Sequence, residues 1–132
     1  MNKIKLLLLI SSLLLLISCD QFYCVQYTIN NTSNNDIIVK FYDKEYNLDS
    51  NTVTLKSKQQ FIIYEDFGSG ETSNSFLKKI SSITLDSLSI RNTTNKHYRL
   101  NSKQINLWIK KKQTKNDTCA SLELIVTNTD FN

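Results

Sequence analysis

Three cysteines, one histidine, an adjacent acid pair and a short lysine run are the side chains of this 132-residue chain best suited to chemistry. Glu65-Asp66 would serve acid–base work on a glycoside if both carboxyls flanked one bond. Adjacent acids where a strand meets a loop are ordinarily solvated. Gly68-Ser69-Gly70 sets a serine between glycines but does not match G-x-S-x-G, and the only imidazole, His97, sits in a polar stretch. No C-x-x-C, H-x-x-x-H or D-x-D-x-D-G spacing is present to hold a metal. Two glycines in one loop cannot build a phosphate or dinucleotide cradle. The pattern predicts a non-enzymatic chain with no metal and no cofactor.

The sharpest charge feature is Lys110-Lys111-Lys112 with Lys115, following Trp108. Such a run is either a solvated hairpin or a surface that meets lipid headgroups, envelope polymer or an acidic protein. The formal charge of +4 shrinks to +2 once Lys3 and Lys5 are set aside, leaving 14 basic against 12 acidic side chains. That is too little for a dedicated nucleic-acid binder, and no nucleic-acid partner is expected. The hydrophobic content of 40% is likewise inflated, because 12 apolar residues fall in the first 18 positions.

Those first positions form a unit of their own. Met1 to Lys5 carries two lysines, and Leu6 to Ile17 is apolar apart from Ser11 and Ser12. As a helix the run would span about 18 Å, short of a hydrocarbon core of about 30 Å, which is the pattern of a secretory signal. Leu16-Ile17-Ser18-Cys19 resembles the lipobox of bacterial lipoproteins. The resemblance implies that the Cys19 thiol receives a diacylglycerol and that residues 1–18 are cut away. Residues 19–132 then remain as one domain held at a membrane of the bacterial cell envelope. Each buried methylene adds about 0.8 kcal/mol, so two or three acyl chains give a durable attachment. Asp20 resembles the inner-membrane retention signal of enteric-type bacteria, a lineage-specific rule that leaves inner and outer membrane open.

With Cys19 assigned to lipid, Cys24 and Cys119 form an even pair in an oxidising compartment. A disulfide between them is expected, with two separate buried thiols as the alternative. Each of the two lies near the start of an apolar alternation, the first and the last. A bond would bring those starts to one end of the molecule, as a parallel first-to-last pairing does.

The periodicity that must position these residues is two. Tyr23, Val25, Tyr27 and Ile29 alternate with polar residues before the turn cluster Asn30 to Asn35. Ile37, Val39 and Phe41, then Val53 and Leu55, then Phe61-Ile62-Ile63-Tyr64 extend the strand pattern. Phe67 to Glu71 reads as a flexible loop, and Thr72 or Ser73 as the cap of a short helix near 73–80. Ile83 to Ile90 changes phase near Asp86-Ser87, Lys96 to Leu100 reads as a short polar strand, and Ile105, Leu107 and Ile109 alternate with Trp108 between. Trp108 is predicted to be core despite lying out of phase with those isoleucines and leucine. A last strand with Leu122, Leu124 and Val126 on one side ends the chain. Seven to nine short strands predict an all-β, immunoglobulin-like antiparallel β-sandwich, with a small β-barrel as the alternative.

Val25-Gln26-Tyr27-Thr28-Ile29-Asn30-Asn31-Thr32, Ile37-Ile38-Val39 and the terminal Thr129-Asp130-Phe131 together resemble small bacterial lipoproteins with an immunoglobulin-like sandwich. Those families bring no assigned activity with them. Tyr23-Cys24, a late Cys119 and the Trp108 segment are also similar to the lipoprotein class of periplasmic lysozyme inhibitors, which present a Ser-Gly loop to the enzyme. Gly68-Ser69-Gly70 matches that loop loosely, this chain is longer, and its late cysteine precedes a full strand. The expectation is a lipid-anchored envelope module that binds a protein or an envelope polymer. The alternative is an inhibitor or immunity protein against a lysozyme-like hydrolase or toxin.

Overall fold

Where apolar residues alternate, the chain lies extended with every second side chain turned inward. A computed structural model describes residues 21–42 and 51–131, so the signal segment 1–18 and the lipobox residues Leu16, Ile17, Ser18 and Cys19 lie outside the described residues. Seven strands are described: β1 (Phe22–Asn31), β2 (Ile37–Tyr42), β3 (Asn51–Leu55), β4 (Gln60–Ser69), β5 (Ser87–Asn92), β6 (Trp108–Lys111) and β7 (Ala120–Val126). One helix, α1 (Ser73–Lys79), separates β4 from β5. The strands form two sheets, of order β4-β1-β7-β6 and β3-β2-β5, stacked as an all-β sandwich; neither closes into a barrel. First pairs with last instead of with second, unlike the constant-type immunoglobulin arrangement of ABED and CFG sheets.

The pairing of β1 with β7 is parallel, from Val25 opposite Ala120 to Asn31 opposite Val126. Cys24 and Cys119 stand one residue ahead of this ladder and are disulfide-bonded, with Cα atoms 4.8 Å apart and 95 residues between them in sequence. All other strand pairs are antiparallel. Between the sheets, Val25, Tyr27, Ile29, Leu122, Leu124 and Val126 of one face Ile37, Val39, Leu55 and Ile90 of the other, all buried. The Tyr27 ring is fully buried and meets Tyr64 and Trp108 edge-on, at 5.4 and 6.1 Å between centroids. Its hydroxyl reaches Thr84 Oγ1 at 3.2 Å, so the one polar atom of this core ring is satisfied.

Helix α1 closes one end of the sandwich. Thr72 caps it, its hydroxyl accepting from Ser75 N at 3.3 Å, and Leu77 is buried in the core. Phe76 stacks on Tyr23 with centroids 3.8 Å apart. Tyr23 in turn lies across Gly68, where an added Cβ would come within 2.3 Å of the ring. Gly68 is therefore required by close approach, and Phe67, Gly68 and Ser69 are the last residues of β4, paired with Cys24, Tyr23 and Phe22. The flexible loop expected from Phe67 to Glu71 is thus strand up to Ser69. Only Gly70, at φ +98°, needs the left-handed conformation that glycine supplies.

Two further expectations change. Lys96 to Leu100 makes only single bridges, Arg91 to His97 and Tyr98 to Phe131, because its side chains supply no apolar face to hold a strand. Ile105–Leu107 is a short 3-10 turn, so the alternation restarts at Trp108. Trp108 consequently points inward, 4% exposed, with its indole N–H donating to Ser102 O at 2.7 Å, while Ile109 faces out.

The other end of the sandwich is tied by Asn31. Its side chain is fully buried; the amide nitrogen reaches the carbonyls of Asn35, Leu55 and Lys56 at 2.9, 3.1 and 3.0 Å, and Oδ1 accepts from Ser33 N and Oγ. One side chain thereby joins the β1–β2 connection to the β3–β4 turn. Removing it would leave several buried polar groups without partners, at about 1–3 kcal/mol apiece. Asn31→Ala should lower unfolding free energy by about 2–4 kcal/mol with an unchanged urea m-value, as measured by chemical denaturation.

Candidate functional site

No described element covers the outer face of the four-stranded sheet. The period-two pattern that buries Ala120, Leu122, Leu124 and Val126 must turn Ser121, Glu123 and Ile125 outward, and Gln26, Thr28 and Asn30 of β1 join them. Glu123 stands mid-face, opposite Thr28 on one side and Ile109 on the other. Diagonal neighbours reach it: Asn30 Nδ2 donates to Oε1 at 2.9 Å, and the Lys111 ammonium forms an ion pair with Oε2. Although it lies on an outer face, the Glu123 side chain is only 5% exposed. Beside it is a trough of about 360 Å³ lined by Gln26, Thr28, Gln60, Ile62 and Ser121 together with the ion pair.

Burial pushes the Glu123 carboxyl toward a higher pKa. The hydrogen bonds from Lys111 and Asn30 and the lysine's charge outweigh burial, holding the group below the usual glutamate range. The trough therefore offers a fixed carboxylate, a neutralising ammonium, two primary amides, two hydroxyls and the flank of one isoleucine. This set can accept and donate hydrogen bonds to a polar chain laid across it.

The lysines that are consecutive in sequence are not one patch. Lys110 Nζ donates to the carbonyl of Ile80 at 2.7 Å, beyond the end of α1, and Lys111 serves Glu123. Lys112 and Lys115 remain exposed, in the connection 112–119. Glu65 and Asp66 are likewise separated, because neighbours in a strand face opposite ways. Glu65 accepts from Gln26 Nε2 at 2.7 Å, whereas Asp66 Oδ1 is 3.4 Å from the Tyr23 hydroxyl. His97 bridges to Arg91 on the rim of the other sheet, far along the chain from Ser69. Among the described residues no group of three or more His, Cys, Asp or Glu converges as a metal site would require.

Comparison with family models, with curated proteins and with solved structures gives no match. The site consequently rests on its own geometry. The Asn30–Glu123–Lys111 arrangement was not singled out in the sequence. An acid in the polar phase of an otherwise apolar strand was the visible signal; its partners became visible only with the β1–β7 and β6–β7 registers.

A depressed folded-state pKa has a definite sign in stability. The ionised carboxylate stabilises the fold above its unfolded value of about 4.3, and that contribution is lost as pH falls through the lower folded value. Glu123→Gln should be less stable than the native chain at neutral pH, with the gap in urea midpoints closing as pH falls below about 4. A gap that stays constant through acid pH would show that the Glu123 charge does not stabilise this face.

Proposed function

We propose that this chain is a non-enzymatic, lipid-anchored protein of the bacterial cell envelope, and that its four-stranded sheet binds a partner protein. The observation that carries the binding reading is the long edge strand β4, with Phe61 and Ile62 exposed at its start. Five of the six exposed large apolar side chains among the described residues, Phe22, Phe61, Ile62, Phe67 and Ile109, stand on this one sheet. Three of them belong to β4, a ten-residue edge strand. An edge of this length, without lysine or proline, is a template for another extended chain.

The strand's charges favour a foreign partner over a second copy. Two β4 strands paired antiparallel about Glu65-Asp66 would set Glu65 of each copy opposite Asp66 of the other, which like-charge repulsion opposes. A strand carrying a basic residue beside Glu65 would meet that outward carboxylate favourably and could extend its side chains over the Glu123 trough. An envelope polymer would use the trough but would leave the β4 backbone edge unused, so the protein reading accounts for more of the surface. The lipid anchor rests on the lipobox resemblance at Leu16, Ile17, Ser18 and Cys19.

Two measurements test this. Cys19→Ala should lose acylation and move from the membrane fraction to the soluble envelope fraction. Photo-crosslinking residues placed at Phe61 or Ile62 in native membranes should trap a protein, and the same residue at Ser89 on the other sheet should not. Equal trapping at all three positions, or trapping of glycan alone, would contradict the β4 reading.

A further inference from the structure

The start of β1, the ends of β4 and β6 and the start of β7 all lie at one pole of the sandwich. This is the pole of the Cys24–Cys119 disulfide. It carries the two most exposed of the large apolar side chains, Phe22 at 71% and Phe67 at 61%. Phe67 is opposite Cys24, and Phe22 is two residues before Cys24 on the same face, so the two rings are diagonal neighbours across the strand pair. They are held by paired backbone beside a disulfide, not by a loose tail.

The same pole carries two exposed lysines, Lys112 and Lys115. Lys112 and Lys115 belong to the connection that enters β7 beside Cys119. That connection is fixed to α1, since Gln113 N donates to Asn74 Oδ1 at 2.7 Å and Asn74 Nδ2 to Gln113 O at 3.2 Å. Its one acid, Asp117, is turned back on the connection itself, accepting from Thr114 Oγ1 at 2.6 Å and Thr114 N at 3.0 Å. Two exposed aromatic rings and two outward lysines therefore share one end.

We infer that this pole rests in the headgroup layer of the membrane that holds the Cys19 lipid, with Phe22 and Phe67 inserted and Lys112 and Lys115 against anionic headgroups. The inference builds on the lipid-anchor reading. What selects a bilayer over a protein here is chain length: Phe22 is three residues after Cys19, a reach of at most about 11 Å. A diacylglycerol on Cys19 places that residue at the headgroup boundary, so Phe22 cannot leave the interfacial region. Apolar rings in this layer are stabilised there, and each lysine near an anionic surface strengthens contact roughly fivefold. The Phe61 end of β4 is then about 20 Å further from the bilayer, open to a partner.

The test uses the full acylated protein, purified from membranes with Cys19 acylation verified by mass and reconstituted in vesicles of brominated phosphatidylcholine, with or without phosphatidylglycerol. Trp108 is core, so added tryptophans report above a steady background. Phe22→Trp and Phe67→Trp should be quenched as rings about 5–10 Å into the headgroup and acyl boundary, whereas Ile62→Trp should not. Phosphatidylglycerol should deepen the quenching, and Lys112→Gln with Lys115→Gln should abolish that increment. Acylated protein in which Phe22→Trp and Ile62→Trp are quenched alike would overturn the inference while leaving the anchor intact. Protein without lipid on Cys19 would overturn both. Circular dichroism of each variant, matching the native chain, separates these outcomes from misfolding.

Discussion

The parallel pairing of β1 with β7 is the constraint on which the rest of the molecule depends. It joins the first and last strands across nearly the whole described sequence, so it is the contact whose closure removes the most chain entropy. The Cys24–Cys119 bond sits at the head of that ladder and limits the freedom of the unfolded chain by closing a 95-residue separation, a stabilisation of about 4–5 kcal/mol in the chain-entropy model. Without this pairing the four-stranded sheet would fall into two separate ribbons, β4–β1 and β7–β6, and Tyr27 and Leu122 would no longer share one layer of the core.

The same constraint gives the molecule direction. One pole collects the disulfide, the start of β1, helix α1 and the exposed Phe22 and Phe67; the other is tied by the buried Asn31 side chain. Because β1 and β7 run in the same sense, their polar phases align and bring Asn30 and Glu123 together on the uncovered face, with Lys111 supplied from β6. A buried charge on an outer face is tolerable only when paired and hydrogen-bonded, and this one is both. The proposed anchoring at one end and the apolar edge along β4 then both follow from one topology.

The fold class was legible because period-two alternation is a local property: β1, β2 and β7 appear where Val25-Tyr27-Ile29, Ile37-Val39-Phe41 and Leu122-Leu124-Val126 predict them. The disulfide is readable from the even pair that remains once Cys19 is assigned to lipid, and the first-to-last pairing from the place of those two cysteines near the starts of the first and last strands. What escaped was set by partners distant in sequence. Gly68 looked like a loop glycine, but the Tyr23 ring lying over it explains why a glycine stands inside a strand. The run Lys110 to Lys112 looked like one patch, yet strand alternation sends Lys110 toward α1 and Lys111 toward Glu123. Glu123 itself was readable as an outward residue and no more, since its burial comes from side chains on two other strands.

In the proposed protein three cysteines serve two tasks, lipid attachment at Cys19 and a structural clamp at Cys24 and Cys119. Intact-mass and non-reducing peptide mass analysis of the protein taken from native membranes tests it most directly. The account predicts a chain beginning at Cys19 with acyl mass on that residue and a Cys24–Cys119 cross-linked peptide in the same molecule. An unmodified Cys19, or a disulfide in which Cys19 takes part, would contradict it.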